Sequence, residues 1–284
     1  MSQFGLPLLY ALFVWWFSTG LILYLDGLPR RTYRWTMIGA SILALAGLAA
    51  LWMVRDDMSS FGAYVAFTAA LALWGWNETA FLTGVITGPR RSACAPHLQG
   101  WARFVEATRM VLWHELAIAA GFALLVLAAW GGANKLGAQV YLLLWSMRLS
   151  AKVNIFLGVP YAPLSFLPDH LRYLASGFRI RAMNPLFPVV VTASTALCAL
   201  LVGWSLASQT TSESAGLAAG YALLATLLAL AILEHWFLVL PLPSDRLWSW
   251  GLRPHDSARA NANTPIIATA APTYAELKSK RSST

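Results

Sequence analysis

Long apolar runs, each closed by a short polar or basic break, organise this chain. They fall at about 6–25, 35–54, 61–86, 106–130, 138–158, 186–207 and 216–240. Each is close to the roughly 20 residues that an α-helix needs to cross a bilayer. The pattern predicts an all-α integral membrane bundle of about seven transmembrane helices, built as one domain over 1–253. The first run reads as a retained anchor. No basic residue precedes it, no small-residue cleavage site follows, and Tyr24-Leu25-Asp26-Gly27-Leu28-Pro29 ends it as a turn. From residue 254 to 284 the composition shifts to Ala, Asn, Thr, Ser and Pro, ending in Lys278-Ser279-Lys280-Arg281. Such a segment buries no core and is expected to be a disordered cytoplasmic tail, with a basic end suited to anionic lipid.

Two shorter patterns lie between and within the runs. Pro168 starts a helix in which Leu167, Leu171, Leu174 and Phe178 share one face while Asp169, His170 and Arg172 point elsewhere, and Gly177 stands where a helix would end. This is either an amphipathic helix on the membrane surface or a loop helix packed over the mouth of the bundle. Gly216 and Gly220 form a Gly-x-x-x-Gly pair of the kind that lets helices approach closely.

Composition agrees with a membrane protein. The chain is 58% hydrophobic and only 11% charged, with mean hydropathy +0.59, whereas a soluble domain has roughly a quarter charged residues. Fourteen Trp residues suit the headgroup level of a bilayer. The net charge of +8 does not indicate nucleic acid, because no basic run is interleaved with stacking aromatics. Its distribution sets topology instead. Sixteen of the twenty Lys and Arg, including Arg30, Arg31, Arg34, Arg90, Arg91, Arg103, Arg109, Arg172, Arg179 and Arg181, fall on one side, and only Arg55 and Lys135 on the other. By the positive-inside rule the N-terminus is periplasmic and the C-terminus cytoplasmic. Cys94 and Cys198 form no disulfide or zinc pattern. His97 and His255 read as solvated loop residues. No phosphate-binding Gly loop, nucleophile elbow or Cys-x-x-Cys is present, which argues against an ATP-driven pump or a hydrolase.

The candidate chemistry lies inside the apolar runs. Asn77 and Glu78, His114 and Glu115, Arg148, Lys152 and Asn154, and Glu234 with His235 are polar groups in segments otherwise fit for lipid. Such residues face a bundle interior and find partners there. Counted from the breaks at about 1.5 Å per residue, His114 lies roughly 8 Å deep, Lys152 roughly 9 Å, Glu234 roughly 10 Å and Glu78 roughly 15 Å, all from the cytoplasmic side. One intramembrane polar site is the economical reading. Arg148 and Lys152 share a helix face and can meet carboxylates of neighbouring helices. Three explanations fit. The first is a structural ion-pair network that fixes helix register. The second is a site for iron or another divalent metal on Glu78, His114, Glu115, Glu234 and His235, as in di-iron carboxylate bundles. Adjacent His–Glu pairs diverge by about 100°, however, so one member of each pair would stand behind the metal. The third is a pigment or proton site using the histidines and carboxylates.

Several blocks resemble a known family. They are Leu25-Asp26-Gly27-Leu28-Pro29-Arg30-Arg31, Phe81-Leu82-Thr83-Gly84-Val85-Ile86-Thr87-Gly88-Pro89-Arg90-Arg91, Arg148-Leu149-Ser150-Ala151-Lys152-Val153-Asn154-Ile155-Phe156-Leu157-Gly158-Val159-Pro160 and Leu233-Glu234-His235-Trp236-Phe237-Leu238-Val239-Leu240-Pro241-Leu242-Pro243. In this order they are similar to the photosynthetic complex assembly protein PuhE family of purple phototrophic bacteria, over about residues 10–252. The resemblance implies a bacterial inner-membrane protein that assists assembly of the reaction centre and light-harvesting complex. Its implied partners are their subunits, pigment-synthesis or assembly proteins and the lipid bilayer. The resemblance also implies a link to bacteriochlorophyll supply, which makes bacteriochlorophyll or a precursor a candidate cofactor beside iron or another divalent metal. No catalytic residues come with the resemblance. The family tends to carry His-Glu where this chain has Asn77-Glu78, which removes one donor from a metal site. The sequence thus leaves three functions: an assembly factor handling a pigment or a pigment-loaded subunit, a membrane metal-dependent oxidoreductase of tetrapyrrole or isoprenoid metabolism, and a structural scaffold.

Overall fold

A computed structural model describes residues 4–162, 164–208 and 214–252. The predicted tail from 254, with His255, lies outside the described residues. Seven long helices follow one another: α1 (Gly5–Asp26), α2 (Tyr33–Met53), α3 (Ser60–Leu82), α4 (Gly100–Ala128), α5 (Leu136–Leu157), α6 (Leu186–Ala207) and α7 (Ala215–Trp236). Among the described residues there is no strand, only a single parallel bridge between Val159 and Ile180. Six of the helices, all but α3, are long and apolar enough to cross a membrane. The fold is therefore that of a helical, multi-pass membrane bundle.

The position of α3 explains why it is the least lipid-like. It packs on α2, α5, α7, α4 and α1, and Ala63, Ala66, Phe67, Ala69, Ala70 and Leu73 are buried along it. Small side chains let neighbouring backbones come close, and a helix enclosed by other helices has little need of a lipid-facing surface. α7 is the second central helix, with most of its length buried against α6, α1 and α3. α2 and α6 lie outside, where Ile42, Leu43, Leu45, Val189 and Leu200 are exposed.

Side chains that bond loop backbone close both ends of the bundle. At the end holding Arg55 and Lys135, the Asn134 amide donates to the carbonyls of Asp57 (3.1 Å) and Gly62 (3.2 Å), and its oxygen accepts from the Leu136 amide (3.1 Å). Ser59 caps α3 by accepting from the Gly62 N–H at 3.2 Å. Gly216 lies here with its Cα against the backbone of Met58 and Ser59, so the predicted close approach is made to a loop. The other end, called the basic end below, is covered by the α3–α4 connector, the α5–α6 connector and residues 237–252.

The helix limits differ from the apolar pattern at this basic end. α3 stops at Leu82 because Thr83 Oγ1 donates back to Thr79 O (2.7 Å) and Gly84 turns left-handed at φ 76°. α7 stops at Trp236, and residues 237–240 form turns. α4 begins at Gly100, because Arg103, read as a connector residue, is helical and buried. Its guanidinium donates to Gly177 O (2.8 Å), Phe178 O (3.3 Å) and Phe156 O (3.3 Å) and lies 4.5 Å from the Phe156 ring centre. The segment after Pro168 is a 3-10 helix, Asp169–Gly177. Leu171 and Leu174 are buried against Phe81, Cys94 and Met110, so its apolar face closes the bundle mouth and does not lie in lipid.

Candidate functional site

The polar residues singled out in the sequence gather near the basic end in three connected groups. The first joins α3, α4 and α5. Arg148 donates to Glu78 Oε2 at 2.9 Å, Lys152 is bonded to Glu115 Oε1, and the Trp145 indole donates to Glu115 Oε2 at 3.2 Å. Trp145, Arg148 and Lys152 follow one another at spacings of three and four, so α5 presents one donor face to two neighbouring helices. Asn77 immediately precedes Glu78 on α3. Its amide donates to Leu73 O (3.1 Å) and to the Tyr141 hydroxyl (2.9 Å), which in turn donates to Ile118 O at 3.2 Å.

His114 is the innermost member, with no exposed surface. Its ring stacks on Phe81 with centroids 4.3 Å apart, and Lys152 Nζ lies 5.7 Å from the same Phe81 ring centre. Among the described residues neither imidazole nitrogen has a hydrogen-bond partner, and neither do Asn77 Oδ1, Glu78 Oε1, Thr87 Oγ1 and Arg148 Nε. The His114 backbone amide donates to Thr87 O at 2.8 Å, outside its own helix. The α3–α4 connector therefore runs directly along the α4 backbone, and Gly88 permits it: a Cβ there would strike Arg109 O and Met110.

The second group ties α5 to α7 and to the start of α6. His235 Nδ1 donates to Ala231 O (2.8 Å), which leaves Nε2 to accept from the Ser150 hydroxyl (3.0 Å). Asn154 donates to Ser150 O (3.0 Å). Asn184 donates to Asn154 Oδ1 (3.0 Å) and Gly158 O (2.9 Å) and caps α6 by accepting from Leu186 N–H (3.0 Å). The third group is a single contact, in which Trp15 of α1 donates to Glu234 Oε1 at 2.8 Å. Glu234 is exposed on the surface of the chain.

This geometry sorts the predicted ligands. His235 has both ring nitrogens engaged by the protein. Glu78 and Glu115 each face a cation, Glu234 faces α1, and His114 is enclosed by Phe81. Among the described residues, no group of three or more His, Cys, Asp or Glu could hold a metal ion. The five residues named as metal candidates thus do not converge as one ligand set. Arg148 differs from the others: its side chain is 41% exposed, and among the described residues it makes one hydrogen bond out of the five a guanidinium can donate. Sequence reasoning missed Trp15, Trp145, Ser150 and Tyr141, which carry no charge to mark them. It also missed Asn184, although Asn184-Pro185 before an apolar run has the form of a helix N-terminus.

Two comparisons place the chain. The family model described as a protein of unknown function (DUF3623) matches residues 1–259. A Rhodobacter capsulatus protein described as an uncharacterized 30.4 kDa protein in the puhA 5′ region is 41% identical over 270 residues, covering 94% of this chain and 97% of the relative. No solved structure matches. On these matches the chain belongs to the DUF3623 family.

Proposed function

We propose that this chain is a seven-span inner-membrane protein, with its N-terminus in the periplasm and its C-terminus in the cytoplasm, that assists assembly of the photosynthetic reaction centre and light-harvesting complex. The family resemblance and the relative's position in the puhA 5′ region support the photosynthetic context. At the molecular level it engages a pigment-loaded subunit through the polar site at the basic end. The observation carrying this reading is Arg148, a cationic side chain 41% exposed, with its Nε buried and unbonded among the described residues, in a helix fit to cross the membrane. A cation at that depth is costly unless acceptors surround it, and Glu78 supplies only one. An incoming polar group, a carbonyl or carboxylate of the partner, completes it. Glu234, exposed beside Trp15, offers an acceptor on the same partner-facing rim. His114 has no open face, so it stabilises the ionic layer from within and does not ligate a pigment.

The ion pairs Glu78–Arg148 and Glu115–Lys152 favour a second reading, in which the charges only fix helix register. Chromosomal replacement separates the two. In the assembly reading, Arg148→Leu and Glu234→Gln accumulate normally in membranes yet lower near-infrared reaction-centre absorbance, and Arg148→Lys restores part of it. If deletion of the gene leaves that absorbance at the wild-type level, the assembly role is wrong. If only variants that reduce the protein's own abundance reduce absorbance, the charges are structural.

A further inference from the structure

At the basic end, away from the ionic layer, the α3–α4 connector and the first turns of α4 enclose a cleft of about 550 Å³ lined by Pro89, Arg90, Arg91, Ser92, Glu106 and Arg109. We propose that this cleft binds the phosphate of an anionic membrane lipid whose acyl chains run along the exposed face of α4. Three arginines share the cleft with a single carboxylate. Arg90 and Arg109 are both paired to Glu106, and Arg90 Nη2 is further held by Ala93 O at 2.8 Å. Two of the cations are therefore fixed in place by the protein. Arg91 is exposed, and no hydrogen bond ties it among the described residues. The cleft keeps a net positive charge and presents guanidinium forks suited to a phosphate.

The helix below the cleft favours a lipid over a soluble phosphate. From Glu106 and Arg109 the same side of α4 continues at spacings of three and four through Trp113 and Leu116, which are 50% and 51% exposed, toward the exposed Leu124 and Leu127. That is about 20 Å of apolar helix face beneath the phosphate site, more than the roughly 15 Å of one leaflet of hydrocarbon. Trp101, exposed and stacked on Phe104, lies one to two turns beyond, where an indole suits the headgroup level. Basic pockets at this level of transmembrane helices are known lipid headgroup sites.

The test uses the full chain in neutral detergent, titrated with phosphatidylglycerol, with phosphatidylcholine of the same acyl length, or with inorganic phosphate, and read by native mass spectrometry and melting temperature. Phosphatidylglycerol is expected to bind at least about tenfold more tightly than phosphatidylcholine, and Arg91→Gln and Arg109→Gln to weaken it about fivefold each. Arg55→Gln at the opposite end controls for net charge and is expected to leave binding unchanged. Equal binding of the two lipids, equal loss in Arg55→Gln, or full displacement by inorganic phosphate would overturn the proposal. Because Arg91 makes no hydrogen bond or ion pair among the described residues, its substitution reports binding without loss of fold, and because the readout is lipid occupancy, it is independent of any role in photosynthesis.

Discussion

Lys152 and Glu115 show most directly how individual residues hold this bundle together. Their side chains are 23% and 20% exposed, and Trp145 supplies a second donor to the carboxylate. Removing one partner leaves a largely buried charge without its counterion, which costs about 3–5 kcal/mol, while replacing both with apolar groups of similar volume is far better tolerated. Lys152→Met alone is therefore expected to lower the melting temperature sharply, and Lys152→Met with Glu115→Leu to recover most of the loss. Equal losses in the single and double variants would show that the pair carries no coupling. Asn184 is a neutral counterpart. Its amide serves three acceptors at the α5 terminus and its oxygen caps α6, so Asn184→Ala should cost about 1–3 kcal/mol, measured by denaturant unfolding in micelles. The charged members of the site were legible in the sequence because a charge in an apolar run is conspicuous. Their uncharged partners were not, since a Trp, Ser or Tyr in a membrane segment has an ordinary explanation at the interface or in the core.

Among elements, the most informative is the pair of covers at the basic end. The 3-10 helix Asp169–Gly177 buries Leu171 and Leu174 in the bundle mouth, and its His170 ring sits near Tyr33, with centroids 6.2 Å apart. His170 Nε2 is buried without a hydrogen-bond partner among the described residues. Burial, reinforced by Arg30, pushes its pKa below the ordinary histidine value. A lowered folded-state pKa means that the unfolded segment binds the proton more readily. Docking stability is then complete above about pH 6.5 and falls as pH drops through the folded-state value. Amides of residues 169–177 should exchange faster at pH 5.5 than at pH 7.5 after correction for intrinsic rates, and His170→Phe should remove that difference. A difference that survives the substitution would place the sensitivity elsewhere. The second cover, the α3–α4 connector, depends on Gly88 lying against α4. Gly88→Ala should displace it, and because its carbonyl at Thr87 holds the His114 amide, protection at that amide should fall with it. The apolar pattern located every helix to within a few residues at the Arg55 end. It overran α3 and α7 at the basic end because Val85, Ile86 and residues 237–240 are apolar yet lie past the helix ends, where Gly84 turns left-handed and 237–240 form turns. It began α4 too late because a buried arginine bonded to three carbonyls looks, in sequence, like a charge in a loop.

For the whole molecule the decisive question is whether α3 crosses the membrane, because that fixes the parity of the topology. Hydropathy counts six spans and omits α3, which would bring both termini to one side. The helix contacts argue otherwise. α3 starts beside Asn134 and the α2–α3 turn at the Arg55 end and finishes at Gly84 beside His170 at the basic end, so it runs the same course between the two ends as its neighbours. Its low hydropathy follows from its central position, where Asn77 and Glu78 meet Tyr141 and Arg148 of α5 and small residues admit α2 and α7. In the proposed seven-span topology the termini lie on opposite sides and the arginine-rich end faces the cytoplasm. Paired reporters test this without further assumption. A phosphatase fused after Leu252 should be inactive and a fluorescent protein there bright, whereas a phosphatase in the Asp56–Met58 turn should be inactive too if six spans were correct with a cytoplasmic N-terminus, and active if seven are correct. The same logic predicts that α3 alone, fused as an isolated segment, inserts poorly, and that it inserts efficiently once α2 and α7 are present. A helix that earns its place from neighbours instead of lipid depends on them to stay in the membrane.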